Sequence, residues 1–208
     1  GVHSGPVRVD MKRVAERAAT VARNARTGNE TWLETMEQCT LLRGHARLES
    51  ANEVSVNGER LTAPRIFLNV GGRASVPDFP GVGDVDLLTN SSIVGLDALP
   101  RHLVVVGGSY IGLEFAQMYR RFGADVTVVE RGPRLIARED EDVSDAVREI
   151  LEREGIAVRL DAECISFAPH DEGIAVGISC SRGEPHAVGS HVLLAVGRIP
   201  NTGDLGLD

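Results

Sequence analysis

Residues 107–112 read GGSYIG, with the apolar run LVVV before them and LEFAQMYRRF after them, and Glu130 closes VTVVE further on. A glycine-rich turn between a strand and a helix offers backbone N–H groups and the positive end of a helix to phosphate oxygens. Such turns also occur simply to let a helix pack closely on a sheet, so the surroundings decide. Gly107 follows four strand-type residues, Gly112 falls in the first turn of an amphipathic helix, and an acid ends the next strand about 20 residues later, as the dinucleotide fingerprint requires.

Each position has a task. Gly107 permits the tight turn, the third position lets the backbone approach a pyrophosphate, and Gly112 lets the helix close on the strand. Gly108, Tyr110 and Ile111 lie among the exposed N–H groups. Ser109 takes the third position, where its Cβ narrows the approach while its hydroxyl can donate to a phosphate oxygen, so it is expected to tune binding rather than abolish it. Glu130 can accept both ribose hydroxyls of NAD. A 2′-phosphate beside it meets a like charge, at a cost on the order of a few kcal/mol at an effective dielectric of about 20, which favours NAD over NADP. Arg131 and Arg134 follow and would hold a 2′-phosphate if Glu130 swung away, although solvated surface is their simpler role.

Other residues capable of chemistry form no pattern. Cys39, Cys164 and Cys180 lack C-x-x-C or metal-ligand spacing and are expected to be buried small hydrophobes, and the six histidines are equally scattered, so no metal site is expected. The net charge of -8 is uneven: residues 1–88 carry 11 acidic and 11 basic side chains, and residues 89–208 carry 19 acidic against 11 basic. That balance argues against nucleic acid or an anionic membrane as partner. With no apolar run of about 18 residues and no signal segment, a cytoplasmic protein is expected. The first residue is Gly1 rather than Met, which suggests a processed or excised chain.

The elements that must position the turn follow from periodicity. Helical spacing runs from Val9 to Arg26, with Val14, Ala18, Val21, Ala22 and Ala25 on one face and Gly28 as a stop, and TWLETMEQ then reads as a second short helix. CTLLRGHARLE, EVSVNGERL and RIFLNVG read as strands, with Asn57-Gly58 as a hairpin turn. GGRASVPDFPGVGDVD is a connector, which places a boundary near residue 88. Beyond it come strand LVVV, helix 110–122, strand VTVVE, helix 143–154 and strand IAVRL, a β-α-β-α-β unit with a parallel sheet and right-handed crossovers. The first helix carries Ile111, Phe115, Met118, Tyr119 and Phe122 on one face and ends at Gly123; the second carries Val143, Val147, Ile150 and Leu151 and ends at Gly155. AECISFA, GIAVGISC and HVLLAVG then read as a three-stranded meander.

The string GGSYIGLEFAQMYRRFGADVTVVERGPRLIAREDEDV, with LLAVGRIPNT at 193–202, CTLLRGHARLE and RIFLNVGGRASVPDFPGV, resembles the pyridine nucleotide-disulfide oxidoreductases. That flavoprotein family includes dihydrolipoamide dehydrogenase, glutathione reductase and mercuric reductase. The resemblance implies an α/β fold in which a Rossmann-like NAD(P)-binding domain, a parallel sheet plus a three-stranded meander, is inserted in a partial FAD-binding domain. Residues 1–88 would be an FAD-domain segment, 89–203 the NAD(P)-binding domain, and 204–208 the return to the FAD domain.

Site residues follow by the same resemblance. Tyr110 matches the side chain covering the nicotinamide pocket, and Glu114 the carboxylate near nicotinamide and flavin, a supporting catalytic group. Glu130 matches the ribose-binding acid, and Arg131 lies beside it. Cys164 falls where the family contacts adenine through backbone, and Gly197 precedes an arginine near the nucleotide. His45 and Ala46 match a backbone contact to the FAD adenine. Gly71 matches the glycine of an A-T-G stretch that here reads N-V-G, so Val70 removes a hydroxyl from that FAD contact. Arg198, Pro200 and Asn201 complete a G-R-x-P-N signature, as ligand contacts or as a turn steering the chain between domains.

The parent implied is a homodimeric enzyme that moves a hydride from NADH to FAD and on through a C-x-x-x-x-C disulfide, with mercuric reductase or dihydrolipoamide dehydrogenase as the nearest kinds. The disulfide, the first flavin fingerprint and the interface domain are expected outside residues 1–208, which leaves the chain itself inactive. Two rivals are a flavoprotein without the disulfide, of the NADH oxidase or ferredoxin reductase type, and a non-enzymatic NAD-binding module.

Overall fold

The computed structural model describes residues 5, 7–179 and 185–207. In chain order the elements are α1 (Met11–Thr35), β1 (Ala46–Ser50), β2 (Glu53–Val56), β3 (Glu59–Thr62), β4 (Gly72–Ala74), β5 (His102–Val106), α2 (Tyr110–Phe122) and β6 (Asp125–Val129). They continue with α3 (Glu141–Arg153), β7 (Ala157–Arg159), β8 (Glu163–His170), β9 (Gly173–Ser179), β10 (His186–Gly189), β11 (His191–Leu194) and β12 (Arg198–Pro200). The chain divides into two units, 1–18 with 74–197, and 19–73 with 198–208.

The first unit is built on a parallel sheet of order β11-β5-β6-β7. A parallel sheet is covered on both faces, so its strands read as continuous apolar runs. In β5 the alternation of side chains sends Leu103 and Val105 to one cluster with Leu113, Ala116, Tyr119 and Leu151 of the helices. Val104 and Val106 go to the other, with Ile165, Phe167, Val176 and Ile178 of the antiparallel sheet β10-β9-β8. All four of those β5 residues are fully buried. The connector belongs here as well: Phe79, Val82, Val85 and Leu87 pack on the second cluster, and Phe79 meets Phe167 edge-on. This packing places the connector from residue 74 onward in the same unit as the parallel sheet.

Several elements differ from the sequence expectation. HVLL is not the third strand of the meander: it lies parallel beside β5 as β11, and HAVG at 186–189 takes the meander position. An unbroken apolar run suits a strand buried on both faces, and both edges of β11 are occupied, since Leu88 N–H donates to Val192 O at 2.8 Å on the side away from β5. The helix faces are shifted. In α2 the buried stripe is Gly112, Leu113, Ala116 and Tyr119, because small residues let the helix axis approach the sheet and the larger Phe115, Met118 and Phe122 flank it. In α3 Val143 and Ile150 are exposed, while Ser144 and Leu151 are buried. Gly123 and Gly155 follow the two helices as expected.

In the second unit β1, β2 and β3 form an antiparallel sheet, and Asn57 and Gly58 turn the hairpin with φ of 52° and 86°, the left-handed pair such a two-residue turn demands. α1, whose residues to Ala18 belong to the first unit and whose remainder belongs to the second, runs through Gly28 as one helix to Thr35 rather than stopping there. A helical glycine costs only about 1 kcal/mol relative to alanine and is no barrier by itself. Val21, on the expected core face, is exposed. CTLLRGHARLE is strand only from Ala46, and RIFLNVG at 65–71 has strand composition without a ladder, leaving Phe67 87% exposed. Cys39 is exposed, contrary to a core role; Cys164 lies in β8 with its side chain outside the described atoms, and Cys180 lies outside the described residues. Among the described residues no helix is long and apolar enough to cross a membrane.

Candidate dinucleotide site

Strand order locates the site independently of the glycines. From β5 the chain goes to β6 on one side, and later returns as β11 on the other. Ligand crevices of open parallel sheets lie at the carboxyl ends of the strands where the order reverses in this way. That point is the end of β5, and the next residue is Gly107.

The turn is built by close packing. Gly107 has φ +114°, which excludes most side chains, and a Cβ there would strike the backbone carbonyl of Ala195; its N–H donates to Val129 O at 2.8 Å. A Cβ on Gly108 would stand 2.7 Å from Leu135 Cδ2 and 2.9 Å from Glu130 Oε2. On Gly112 it would strike Gly107 O and come 3.2 Å from Val105 Cγ1. Three glycine positions thus have three different steric causes, and together they bring strand, turn and helix within backbone contact.

Ser109 is the N-cap of α2, in extended backbone, and accepts the Leu113 N–H at 3.1 Å through its carbonyl while its hydroxyl makes no capping bond. Ser109 and Tyr110 are exposed, and Ile111 is half-buried. The first N–H groups of the helix have no partner within it. Glu114 is exposed one turn further along α2.

Glu130 is half-buried and doubly held: Oε2 accepts the Gly108 N–H at 2.6 Å and Oε1 the Gly132 N–H at 2.7 Å. The acid therefore touches the turn directly. Arg131 is exposed, and Arg134 donates from Nη2 to Ala137 O at 3.2 Å within its own loop. The 195–197 segment adjoins the turn through Ala195, whose N–H donates to Val106 O at 2.8 Å, and Gly197 has φ +138° with open space around it. The sequence gives no signal for Gly132 or for Ser144 on α3, and the one signal for Leu135 and Ile136 of the loop is that they form an apolar pair inside the otherwise polar RGPRLIARED.

At the opposite, amino-terminal end of the sheet, Ser190 Oγ accepts the His102 N–H at 3.2 Å and lies 3.1 Å from His191 Nδ1, and His102 Nε2 lies 2.9 Å from Thr127 Oγ1. Burial lowers the pKa of both histidines, against some attraction of protonated His102 by Asp125.

The second unit joins the remaining predicted residues in pairs. Asn201 Nδ2 donates to Val70 O at 3.1 Å and Asn201 N–H to Gly71 O at 3.1 Å, while Arg198 Nη2 donates to Gly72 O at 2.6 Å. The G-R-x-P-N signature is thus a clasp on the N-V-G stretch. Pro200 O accepts from Arg73 Nη1 at 3.3 Å. His45 Nε2 lies 3.4 Å from Asp204 Oδ2, with both side chains well exposed, and Ala46 opens β1.

A strand-turn-helix of this geometry, with an acid at the end of the next strand and a meander on the far face of the sheet, defines a dinucleotide-type α/β protein. The family model for pyridine nucleotide-disulphide oxidoreductases matches residues 6–207, and the chain belongs to that family. Mercuric reductase of Staphylococcus aureus is 30% identical over 181 residues, covering 86% of this chain and 33% of that protein. Dihydrolipoyl dehydrogenase of Cupriavidus necator is 31% identical over 215 residues, covering 100% of this chain and 45% of that protein. The solved structure of the HOCl-induced flavoprotein disulfide reductase RclA from Escherichia coli superposes with a TM-score of 0.85 at 29% identity, over 95% of this chain and 45% of that one. The chain spans less than half the length of these relatives.

Proposed function

We propose that the unit 74–197 binds NADH and presents its nicotinamide to an FAD in a disulfide oxidoreductase, and that 19–73 with 198–208 is part of the flavin-binding domain. The observation that carries this is the Gly107–Gly112 turn at the strand-order reversal with Glu130 hydrogen-bonded to it. The residues fit the group: three buried glycines keep Cβ atoms out of the turn, and the free first-turn N–H groups of α2 and its positive end suit a pyrophosphate. When bound, the dinucleotide supplies the hydride and the flavin receives it.

In this proposal Glu130 accepts the adenosine ribose hydroxyls with lone pairs left over from its two backbone bonds. Tyr110 covers the nicotinamide position, and Glu114, on the same helix, is the supporting carboxylate near it. Cys164 and Gly197 border the nucleotide. In the second unit His45, Ala46 and Gly71 lie along the flavin. A 2′-phosphate at about 4 Å from Glu130 is disfavoured by about 4 kcal/mol at an effective dielectric of about 20, less after salt screening, so NADPH is the weaker ligand. Isothermal titration of the 208-residue chain with NADH and NADPH is the test, with Glu130→Ala as the variant. Tighter NADH binding that Glu130→Ala weakens is the expected result; no heat with either dinucleotide at millimolar concentration removes the proposal, and tighter NADPH binding reverses the coenzyme assignment.

A further inference from the structure

The loop between β6 and α3 does more than connect them. It grips one residue of the glycine turn by both of its backbone polar groups: the Gly108 N–H donates to Glu130 Oε2 at 2.6 Å, and the Gly108 carbonyl accepts the Ile136 N–H at 2.8 Å. Leu135, fully buried, fills the space beneath Gly108. Its carbonyl accepts the Ser144 hydroxyl at 2.7 Å, and Ser144, only 1% exposed, is fixed in turn by its N–H to Asp140 O at 3.0 Å at the start of α3. A continuous set of contacts therefore leads from α3 through Leu135 and Ile136 to Gly108 and Glu130.

Ile136 holds φ +40°, a region that β-branched residues avoid and keep only where the surroundings over-determine the backbone. Here they do. Its N–H goes to Gly108, its carbonyl accepts the Glu139 N–H at 2.8 Å, and its side chain packs on the core. One result of that conformation is the placement of the Ile136 N–H against the turn.

We propose that Ile136, through its backbone, and Ser144 are positioning residues that set coenzyme preference, resting on the proposal that this unit binds a dinucleotide. For Arg131 and Arg134 to receive a 2′-phosphate, Glu130 must turn away, which breaks its bonds to both Gly108 and Gly132. The loop holds the first of these through Ile136 and Leu135, while the Gly132 carbonyl accepts the Asp161 N–H at 3.0 Å. The clamp thus keeps Glu130 facing the ribose and makes exclusion of the 2′-phosphate a property of the loop as much as of the acid.

The test uses the 208-residue chain with three readouts: dissociation constants for NADH and NADPH, hydrogen exchange of the Gly108 amide, and thermal stability. Ser144→Ala removes the anchor, and exchange at Gly108 is expected to quicken about tenfold, with NADH binding weakened by about the same factor and NADPH binding held within about twofold. Ile136→Asn separates backbone from side chain, since asparagine tolerates the left-handed region and keeps the N–H while losing the apolar packing. It is expected to lower thermal stability and to leave the NADH-to-NADPH ratio unchanged. The inference is overturned if Ser144→Ala weakens both dinucleotides equally, if it leaves Gly108 exchange unaltered, or if Ile136→Asn shifts the ratio as much as Ser144→Ala does. If the unaltered chain binds neither dinucleotide, the function proposal falls and this inference with it; if it binds NADH and the ratio does not move, this inference alone falls.

Discussion

Glycine to alanine inside a helix normally stabilises by about 1 kcal/mol, because alanine loses less backbone freedom on folding. Two helical glycines of this chain are predicted to respond with opposite signs. Gly28 lies within α1 with nothing inside 4 Å of a built Cβ, so Gly28→Ala is expected to gain about 0.5–1 kcal/mol. At Gly112 the same Cβ strikes the Gly107 carbonyl and lies 3.2 Å from both Ala195 Cβ and Val105 Cγ1. Overpacking costs about 1–3 kcal/mol, and the nearest atom is backbone of a turn that cannot swing aside, which puts the cost toward the upper end. Set against the propensity gain, Gly112→Ala is expected to lose about 1–2 kcal/mol. Urea unfolding provides the assay: the single tryptophan, Trp32 on α1, reports the Gly28 unit by fluorescence, and far-ultraviolet circular dichroism follows the whole chain. A Gly112→Ala protein as stable as the unaltered chain would refute the claim that the helix is seated on the turn by backbone contact.

Two further outcomes follow from buried groups at the sheet. His102 and His191 have pKa values lowered by burial, so the folded state keeps them neutral while the unfolded chain protonates near its ordinary value of about 6.5. Their stabilising effect is complete above about pH 6.5 and is lost as pH falls from there toward the folded values; urea midpoints should drop from about pH 7 to about pH 5, and a double replacement by glutamine should flatten that slope, whereas an unchanged slope would show that these two histidines do not carry it. Tyr119, 1% exposed, donates its hydroxyl to Ile93 O at 2.9 Å; because that carbonyl also receives the Leu96 N–H, Tyr119→Phe is expected to cost only about 1 kcal/mol in urea unfolding, and a loss above about 3 kcal/mol would mean the carbonyl is left unpaired.

The sequence made legible what depends on neighbours along the chain. The β-α-β-α-β order, the glycine turn, the helix ends at Gly123 and Gly155 and the Asn57-Gly58 hairpin are each set by local composition and spacing. What it hid depends on partners far along the chain. HVLL and HAVG are both short apolar segments, and only the free edge of β5 decides which joins the parallel sheet. RIFLNVG has strand composition, yet composition confers no ladder. The helix faces were read from large apolar residues, whereas the deepest contacts in α2 belong to Gly112 and Ala116, whose smallness is the reason for the depth. The grip of Ile136 on Gly108 was out of reach because it is made by backbone atoms, which carry no sequence signature.

Ser109 departs from the dinucleotide fingerprint at the position where a departure disturbs the protein least. Gly107 is required by its backbone conformation, and Gly108 and Gly112 by the atoms pressed against them. Ser109 has φ -95° and ψ 172°, extended backbone that any residue adopts, and its side chain is exposed at the mouth of the crevice. Nothing in the fold therefore demands glycine there; under the proposed function the demand would come from the ligand, through how closely a pyrophosphate approaches the helix end. The protein's own packing fixes the other three positions, so their demand for glycine is a demand of the fold. A serine that leaves this framework untouched adds a hydroxyl beside the first N–H groups of α2, and in the proposed function the trade between a closer backbone and one more donor is settled at the phosphates rather than in the fold.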